Sequence, residues 1–221
     1  MMNVRRAAGL TEAKVVAPVV FVVDDDLSVR EALEALIGMH GWRCETFATA
    51  QAFLARPVEA IPSCLVLDVS LPDLNGLDLQ SRLADDHSDL PIIFITGHGD
   101  IPMTVRAMKA GAIEFLTKPI QRAALIAAVG DALVRSTAAL ANSAELDELL
   151  ARLADLTPRE RDVMRLVVAG KLNKQVAFEL GITEFTVKVH RGRVMEKMRA
   201  RSFADLVRIA GRVDRPGAAR A

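Results

Sequence analysis

The chain has 221 residues, of which 28 are basic and 28 acidic, so its formal net charge is zero. Hydrophobic residues make up 51% of it, which excludes an intrinsically disordered chain, and the length allows two domains. Cys44 and Cys64 are too few for a disulfide framework or a cysteine-based metal site, and they favour a reducing compartment.

The zero net charge conceals two halves of opposite sign. Residues 156–221 hold 15 Lys and Arg against 7 Asp and Glu, which leaves 13 against 21 in residues 1–155. This asymmetry predicts an acidic module joined to a basic module that binds nucleic acid.

Residues 1–17 are predicted to be a tail, because they carry two arginines and no apolar core of signal-peptide length. We expect no stretch to reach the roughly 18 apolar residues that a membrane span needs. The chain is therefore expected to be cytoplasmic and to have no membrane partner.

Four short apolar runs are predicted to be buried strands, and each is followed by polar residues. They are residues 19–23, 64–67, 91–95 and 112–116. Helical patterns lie between them, over 28–40, 77–85, 101–110 and 121–135, with a short strand at 44–47 and a short helix at 50–54. This alternation predicts an α/β domain with a parallel sheet and crossover helices.

The polar residues after these strands are expected to share one cleft, because sites in parallel sheets form beyond the carboxyl ends of the strands. They are Asp24, Asp25, Asp68, Thr96 and Lys118. Close carboxylates repel by about 4 kcal/mol per pair at an effective dielectric constant of roughly 20, and a cation relieves this repulsion. An all-oxygen ligand set favours Mg²⁺. Asp68 is then placed to attack a phosphoryl donor, while Lys118 and Thr96 hold the phosphate oxygens.

Four motifs together resemble the receiver domain of bacterial two-component response regulators. They are VVDD ending at Asp25, LD followed by LP and a glycine around Asp68, ITGHGD from Ile95, and FLTKP from Phe115. The stretch GHGDIPMTVRAMKAGAIEFLTKP is especially similar to the FixJ subfamily, and the likeness covers about residues 17 to 136. It implies a (βα)₅ doubly wound sheet with Asp68 as the phosphoacceptor.

The same resemblance implies the ligands and the switch of the site. Mg²⁺ would be held by Asp25, Asp68 and the backbone carbonyl of Ser70, with Asp24 acting through water. Thr96 and Phe115 would be the switch pair, and the Lys118–Pro119 bond would be cis. The partners implied are a histidine kinase and, after phosphorylation, a second copy of the chain bound through residues 101–122.

Residues 137–154 are rich in Ala and Leu, lack proline and glycine, and are predicted to be a helical linker. Four leucines form a stripe along it, at positions 146, 149, 150 and 153. This stripe either packs on its own domain or pairs with another subunit.

Residues 155–213 are predicted to form four short helices. Thr157 with Glu160 is a capping box, and Pro158 occupies the first helical position. The caps of the next three helices are predicted at Asn173, Thr183 and Ser202. A tight turn at Gly181 joins the second helix to the third, as in a helix-turn-helix unit.

The third of these helices has two different faces. Val187, Val194 and Met198 share one side, which predicts a core face. The other side includes Gly192, which costs about 1 kcal/mol against Ala in a helix and makes sense if this face enters a major groove. The residues predicted to contact bases are Phe185, Lys188, Val189 and Arg193, and those predicted to contact phosphates are Lys171, Lys174, His190 and Arg191.

This second region resembles the LuxR-type DNA-binding domain in its motifs LTPRER from Leu156, GK-NK from Gly170 and TVKVHR from Thr186. The likeness covers about residues 155 to 213 and adds Asn173, Thr183 and Thr186 to the DNA-binding set. The predicted organisation is therefore a tail (1–17), a receiver domain (18–136), a linker (137–154), an all-α helix-turn-helix domain (155–213) and a second tail (214–221).

These features predict a transcription factor of a two-component system rather than an enzyme. A histidine kinase would phosphorylate Asp68, and the phosphorylated chain would dimerise and bind a two-fold DNA site, with activation as the expected outcome and RNA polymerase as a candidate partner. One alternative treats the receiver as a phosphate-independent dimerisation module. Another, from a different class, is a phosphatase of the haloacid-dehalogenase type with Asp24 as its nucleophile.

Overall fold

The computed structural model of the chain describes residues 17–85, 90–97 and 101–213. Almost all of the two predicted tails, and residues 98–100 of the GHGD motif, lie outside the described residues. The chain divides into two compact units, residues 1–140 and 141–221, which are described separately below.

The first unit is built on a five-stranded sheet in which every pairing is parallel. The strands are β1 (Val19–Val23), β2 (Arg43–Phe47), β3 (Ser63–Asp68), β4 (Ile92–Thr96) and β5 (Glu114–Thr117). Their order is β2-β1-β3-β4-β5, so β2 lies on one side of β1 and the later strands lie on its other side. β1, β3 and β4 are fully buried, as their unbroken apolar sequences predict. The predicted α/β class is confirmed.

Helices cover both faces of this sheet. They are α1 (Leu27–Gly38), α2 (Ala50–Leu54), α3 (Gly76–Asp85), α4 (Ile101–Lys109) and the start of α5 (Arg122–Ala154). Leu33 of α1 and Leu125 of α5 belong to one hydrophobic cluster. Phe53 of α2, Leu79 of α3 and Ala107 of α4 belong to the other. Apart from the end of α5, the predicted elements of this unit differ from the observed ones by at most two residues at either end.

Helix α5 runs without a break for 33 residues, whereas the sequence analysis divided residues 121–154 into a domain helix and a linker. No proline or turn glycine stands near residue 136 to end it. The expectation that no stretch is apolar enough for a membrane span is also wrong, since an 18-residue window of α5 has a mean hydropathy of 1.5. The apolar side chains of this helix fill part of the core of the first unit, at Leu125, Val129 and Leu133.

The second unit contains the end of α5 and four short helices. They are α6 (Pro158–Val168), α7 (Asn173–Leu180), α8 (Glu184–Lys197) and α9 (Phe203–Val213). Val163, Val176, Val187 and Leu206 bring α6 to α9 into one core. Leu153 packs against this core and Leu149 is buried, so the leucine stripe of α5 packs at least in part on its own domain.

The predicted caps of these helices are mostly confirmed. Thr157 and Glu160 form a reciprocal capping box, and the Thr183 hydroxyl accepts a hydrogen bond from the Thr186 N–H. The prediction for Asn173 is wrong, because Leu172 is the N-cap residue of α7. The Asn173 carboxamide oxygen instead accepts a hydrogen bond from Arg191 of α8 at 2.8 Å, which holds α7 and α8 together.

Candidate functional site

Three carboxylates lie at the carboxyl edge of the sheet. Asp24 and Asp25 follow β1, Asp68 ends β3, and one oxygen from each lies within 4.8 Å of the others. Asp24 and Asp68 are buried, whereas Asp25 is exposed. The sheet order places β1 beside β3, so residues 44 positions apart in sequence meet at one point.

Lys118 is shared by the two buried carboxylates. Its Nζ lies 2.7 Å from Asp24 Oδ2 and 2.7 Å from Asp68 Oδ2. Burial by itself lowers the pKa of Lys118, but the hydrogen bonds to both carboxylates and the attraction of their charges together outweigh burial and raise it. Burial raises the pKa of Asp24, and the hydrogen bonds from Lys118 and the Asp26 N–H only partly offset this. The lysine is therefore held charged between two acidic groups.

Backbone groups fix the remaining oxygens of these carboxylates. Asp68 Oδ1 accepts a hydrogen bond from the Ser70 N–H at 3.0 Å, and Asp24 Oδ1 accepts one from the Asp26 N–H at 2.9 Å. Arg30 of α1 donates to the backbone carbonyls of Asp24 and Asp25, at 2.7 and 3.0 Å. The loop after β1 is thus held through its backbone as well as through its carboxylates.

The loop after β3 is anchored at both ends. The Asp73 carboxylate accepts hydrogen bonds from the Ala50 and Gln51 N–H groups, which begin helix α2. At the other end the Gly76 N–H donates to the Val69 carbonyl at 2.9 Å. A Cβ at Gly76 would lie 2.6 Å from the Asp68 carbonyl oxygen, so only glycine fits beside the backbone of Asp68.

The predicted switch residues lie on neighbouring strands. Thr96 ends β4 and is only 1% exposed, and its carbonyl accepts a hydrogen bond from the Lys118 N–H at 2.8 Å. Phe115 of β5 pairs in register with Phe94, and the two rings lie 6.1 Å apart. Because Phe94 and Thr96 lie two residues apart on one strand, Phe115 is beside the face of β4 to which Thr96 belongs. The Lys118–Pro119 bond is cis, as predicted.

The three carboxylates fit a hard divalent cation. Their oxygens are close enough to be shared by one ion, and an all-oxygen set suits Mg²⁺. Asp25 is the exposed member, so it can bind an ion that keeps several waters. Lys118 offsets part of the negative charge on the other two.

Helix α4 presents an apolar surface. Ile101 is 81% exposed, and Val105 and Met108, at helical spacing from it, are 43% and 42% exposed. They fall within residues 101–122, where the sequence analysis expects a second copy of the chain to bind.

Helix α8 has the two faces that the helical wheel predicts. Val187, Val194 and Met198 are buried. The opposite face is exposed and consists of Phe185, Lys188, Val189, Gly192, Arg193 and Glu196. Phe185 is 75% exposed, which is unusual for a large apolar residue on a domain surface. This face is available to a partner.

The residues predicted to contact phosphates are in more varied surroundings. Lys174 is exposed, but Lys171 forms an ion pair with Glu179. Arg191 is bound to Asn173, and its guanidinium lies 5.5 Å from the centre of the Phe203 ring. Their assignment to DNA stays a prediction.

Sequence reasoning missed several residues that hold the site in place. Arg30 and Asp73 act through backbone groups, and no motif marks them. A helical arginine five or six residues after an aspartate pair can reach the loop that carries the pair, and an aspartate in a turn can cap a helix elsewhere in the chain. In the second unit, sequence reasoning also missed Lys197, whose Nζ lies 2.9 Å from the buried Glu160 of the capping box.

Family models match both parts of the chain. Residues 20–130 match the response regulator receiver domain, and residues 154–210 match the bacterial regulatory proteins of the luxR family. Among curated relatives, Nodulation protein W of Bradyrhizobium diazoefficiens is 50% identical over 206 residues, covering 93% of this chain and 90% of that protein. The transcriptional regulatory protein FixJ of Rhizobium meliloti is 42% identical, covering 86% of this chain and 94% of that protein.

Solved structures of similar proteins include full-length ones. The response regulator StyR is 47% identical with a TM-score of 0.79, covering 89% of this chain and all of that chain. Full-length FixJ from B. japonicum is 39% identical with a TM-score of 0.52, covering 88% of this chain and 96% of that chain.

Proposed function

Because the chain belongs to the response regulators of two-component systems that carry a LuxR-type DNA-binding domain, we propose that phosphorylation of Asp68 controls its binding to DNA. The observation that carries this proposal is the position of Asp68, whose carboxylate binds Lys118 and lies within 4.8 Å of those of Asp24 and Asp25. The receiver modifies itself in this reaction and turns over no separate substrate.

In the proposed reaction a carboxylate oxygen of Asp68 attacks the phosphorus of a phosphohistidine on a partner histidine kinase. The P–N bond breaks as the new P–O bond forms, and the leaving imidazole takes up a proton. Asp25, Asp68 and the Ser70 carbonyl would hold Mg²⁺, with Asp24 acting through water, and the ion would offset the charge of the incoming phosphoryl group.

Lys118 and Thr96 have distinct roles in this scheme. Lys118 already binds Asp68 Oδ2, so a phosphoryl group on Asp68 places its oxygens within reach of the ammonium. The Thr96 hydroxyl would bind another phosphate oxygen, and Phe115 would fill the space that Thr96 leaves. This movement would alter the surface of α4 and β5, through which two phosphorylated chains would dimerise.

Dimerisation would bring two DNA-binding domains onto half-sites about one helical turn apart, where each raises the effective concentration of the other. The exposed face of α8 would enter the major groove, with Lys188 and Arg193 reading bases. The predicted setting is the cytoplasm, and the predicted output is activation, with RNA polymerase as a further partner.

The phosphatase alternative is not favoured. It requires Asp24 as the nucleophile, and it gives no role to the luxR-type DNA-binding domain at residues 154–210.

The test uses a small phosphodonor such as acetyl phosphate. We expect intact-mass analysis to show one phosphoryl group on the wild-type chain and none on Asp68→Asn. Asp78→Asn, which changes an exposed carboxylate of α3, is the control and should be phosphorylated normally.

Sedimentation with and without beryllofluoride, at fixed Mg²⁺, then tests the dimer. Tighter operator binding by a chain that stays monomeric would refute the dimer route. Dimerisation and DNA binding that are unaffected by beryllofluoride would support the phosphate-independent alternative.

A further inference from the structure

Gln80 of α3 is a buried polar side chain with no part in the phosphoacceptor site. It is 4% exposed, and its Nε2 donates hydrogen bonds to the backbone carbonyls of Ala107 and Ala110, at 3.3 and 3.1 Å. Both partners are carbonyl oxygens, which only accept, so the NH₂ group of the carboxamide must face them. A single glutamine thus joins α3 to the carboxyl end of α4.

The end of α4 is where a helix leaves carbonyl groups without partners inside the helix. Gly111 has φ +93° and reverses the chain there, and the Ala112 N–H donates to the Ala107 carbonyl at 3.1 Å. Gln80 adds a second donor to that carbonyl and supplies one to the Ala110 carbonyl. Ala107 is itself fully buried, so this end of α4 is held by both packing and hydrogen bonds.

Helix α3 is in turn fixed to the backbone of the phosphoacceptor. It begins at Gly76, whose N–H binds the Val69 carbonyl and which lies so close to Asp68 that a side chain would collide with the Asp68 carbonyl. Gln80 follows one turn later on α3. A short series of contacts, through the backbone at Gly76 and the side chain of Gln80, therefore holds the carboxyl end of α4 at a set position relative to Asp68.

The amino end of α4 is in a different environment. It follows β4, which ends at Thr96, and its first residue, Ile101, is 81% exposed. In the proposed function, the movement of Thr96 toward the phosphoryl group acts on this end of the helix.

We propose that Gln80 is a positioning residue that makes the carboxyl end of α4 the pivot of the phosphorylation response. With the tether in place, a pull at Thr96 turns the amino end of α4 and reorients the exposed Ile101 and Val105. Without it, the whole helix can shift, and the same pull produces no defined surface for a second chain. The inference rests on the proposed phosphorylation-dependent dimerisation. It makes Gln80 the residue that couples this dimerisation to the state of Asp68.

Hydrogen exchange of the wild-type chain tests the pivot directly. Beryllofluoride with Mg²⁺ should change the exchange of the amides of residues 101 and 103–105, while those of 107–112 keep their protection in both states. Loss of protection at 107–112 on addition of beryllofluoride would overturn the proposal, because it would mean that the tether opens on activation.

The variant Gln80→Met keeps the length of the side chain and removes both donated hydrogen bonds. We expect it to accept phosphate from acetyl phosphate at the wild-type rate. Its gain in dimer affinity on adding beryllofluoride should be about tenfold smaller than that of the wild type, the factor that one or two lost hydrogen bonds supply. Gln51→Met, at an exposed glutamine of α2, is the control and should keep the full gain.

The outcomes separate this inference from the function it rests on. A wild-type chain that does not dimerise with beryllofluoride refutes the dimerisation, and the pivot with it. If the wild type and Gln80→Met gain the same dimer affinity, the pivot is refuted and the phosphorylation-dependent dimerisation is not. If the variant does not fold, the wild-type exchange pattern decides.

Discussion

Lys118 Nζ and Asp68 Oδ2 lie 2.7 Å apart, and the same ammonium lies 2.7 Å from Asp24 Oδ2. One positive charge thus holds together two carboxylates that would otherwise repel each other in a largely buried setting. A divalent cation bound to Asp25 and Asp68 would act on the same excess of negative charge. The lysine and the cation would therefore be partly interchangeable in stabilising the fold, although not in reaching a phosphoryl group.

The variant Lys118→Met should separate these two effects. Without Mg²⁺ it should be less stable than the wild type by about 2 kcal/mol, because two carboxylates lose a charged hydrogen-bond donor. Mg²⁺ should then raise its melting temperature more than that of the wild type, while its phosphorylation by acetyl phosphate is much slower. Arg43→Met, which removes an exposed ion pair with Glu45, is the control. An unchanged Mg²⁺ shift in Lys118→Met would contradict the charge argument.

Asp25→Ala should have the opposite pattern. Asp25 is exposed, so its removal should change the stability of the metal-free chain little. It should nevertheless abolish most of the stabilisation by Mg²⁺, because a ligand that binds only the folded state stabilises it by mass action. Melting curves over a Mg²⁺ titration measure both quantities, with Glu31→Ala on the exposed side of α1 as the control. If the mutant keeps the wild-type shift, Asp25 is not a ligand.

The sheet could be predicted because its three central strands are buried on both faces and read as nearly unbroken apolar runs. β1, β3 and β4 all have this pattern, and each ends at or just before a polar residue of the site. The continuity of α5 could not be predicted in the same way, because domain boundaries were inferred from family likeness rather than from a residue that stops a helix.

The candidate site was predictable as a set of residues but not as a set of contacts. Strand ends bring Asp24, Asp68 and Lys118 together, yet sequence does not say that one lysine binds both aspartates. Asn173 shows the limit most clearly. Its residue type favours a helix cap, but Arg191, 18 residues later, binds its carboxamide instead. At this position a tertiary hydrogen bond outweighs the local preference of asparagine for a helix cap.

The capping box of α6 should make the second unit sensitive to acid. Glu160 is 2% exposed and accepts hydrogen bonds from Lys197 and the Thr157 N–H, which lower its pKa to about 2. A carboxylate whose pKa is lowered by folding stabilises the fold above its unfolded pKa of 4.5, and this stabilisation is lost as the pH falls toward 2. The variant Glu160→Gln should therefore be less stable than the wild type at pH 7 by about 1–3 kcal/mol.

Urea unfolding followed by circular dichroism at pH 7, 4 and 3 checks this prediction. The difference between the wild type and Glu160→Gln should narrow as the pH falls, because the wild-type chain approaches the neutral state of the variant. Glu148→Gln, at an exposed residue paired with Arg152, should show a much smaller difference throughout. If the difference in unfolding free energy stays constant with pH, the charge of Glu160 does not stabilise the fold.

Lys188→Ala and Arg193→Ala should each weaken binding to the specific site by about 1–3 kcal/mol if these exposed side chains reach base edges. Lys174→Ala should instead weaken binding to all DNA alike and flatten its salt dependence. Affinities for operator and random DNA, measured over a range of salt concentrations, distinguish the two kinds of contact. Loss of nonspecific affinity alone in all three variants would show that this face does not read the groove.

Gly192 provides a test in which stability and DNA binding change in opposite directions. It lies within α8 on the exposed face, and a Cβ built there would meet nothing within 4 Å. Gly192→Ala should therefore stabilise the fold by about 0.5–1 kcal/mol, because glycine is a poor helix former. The same methyl group should weaken operator binding if the helix lies close to the base pairs.

Gly211→Ala is the matched control for this variant, because Gly211 is an exposed glycine of α9 that also has nothing within 4 Å of an added Cβ. Both substitutions should raise the urea midpoint by similar amounts, but only Gly192→Ala should lose affinity for the operator. If Gly192→Ala binds as tightly as the control, its face of α8 does not approach the DNA closely. The cost of keeping a glycine in the middle of this helix would then need another cause.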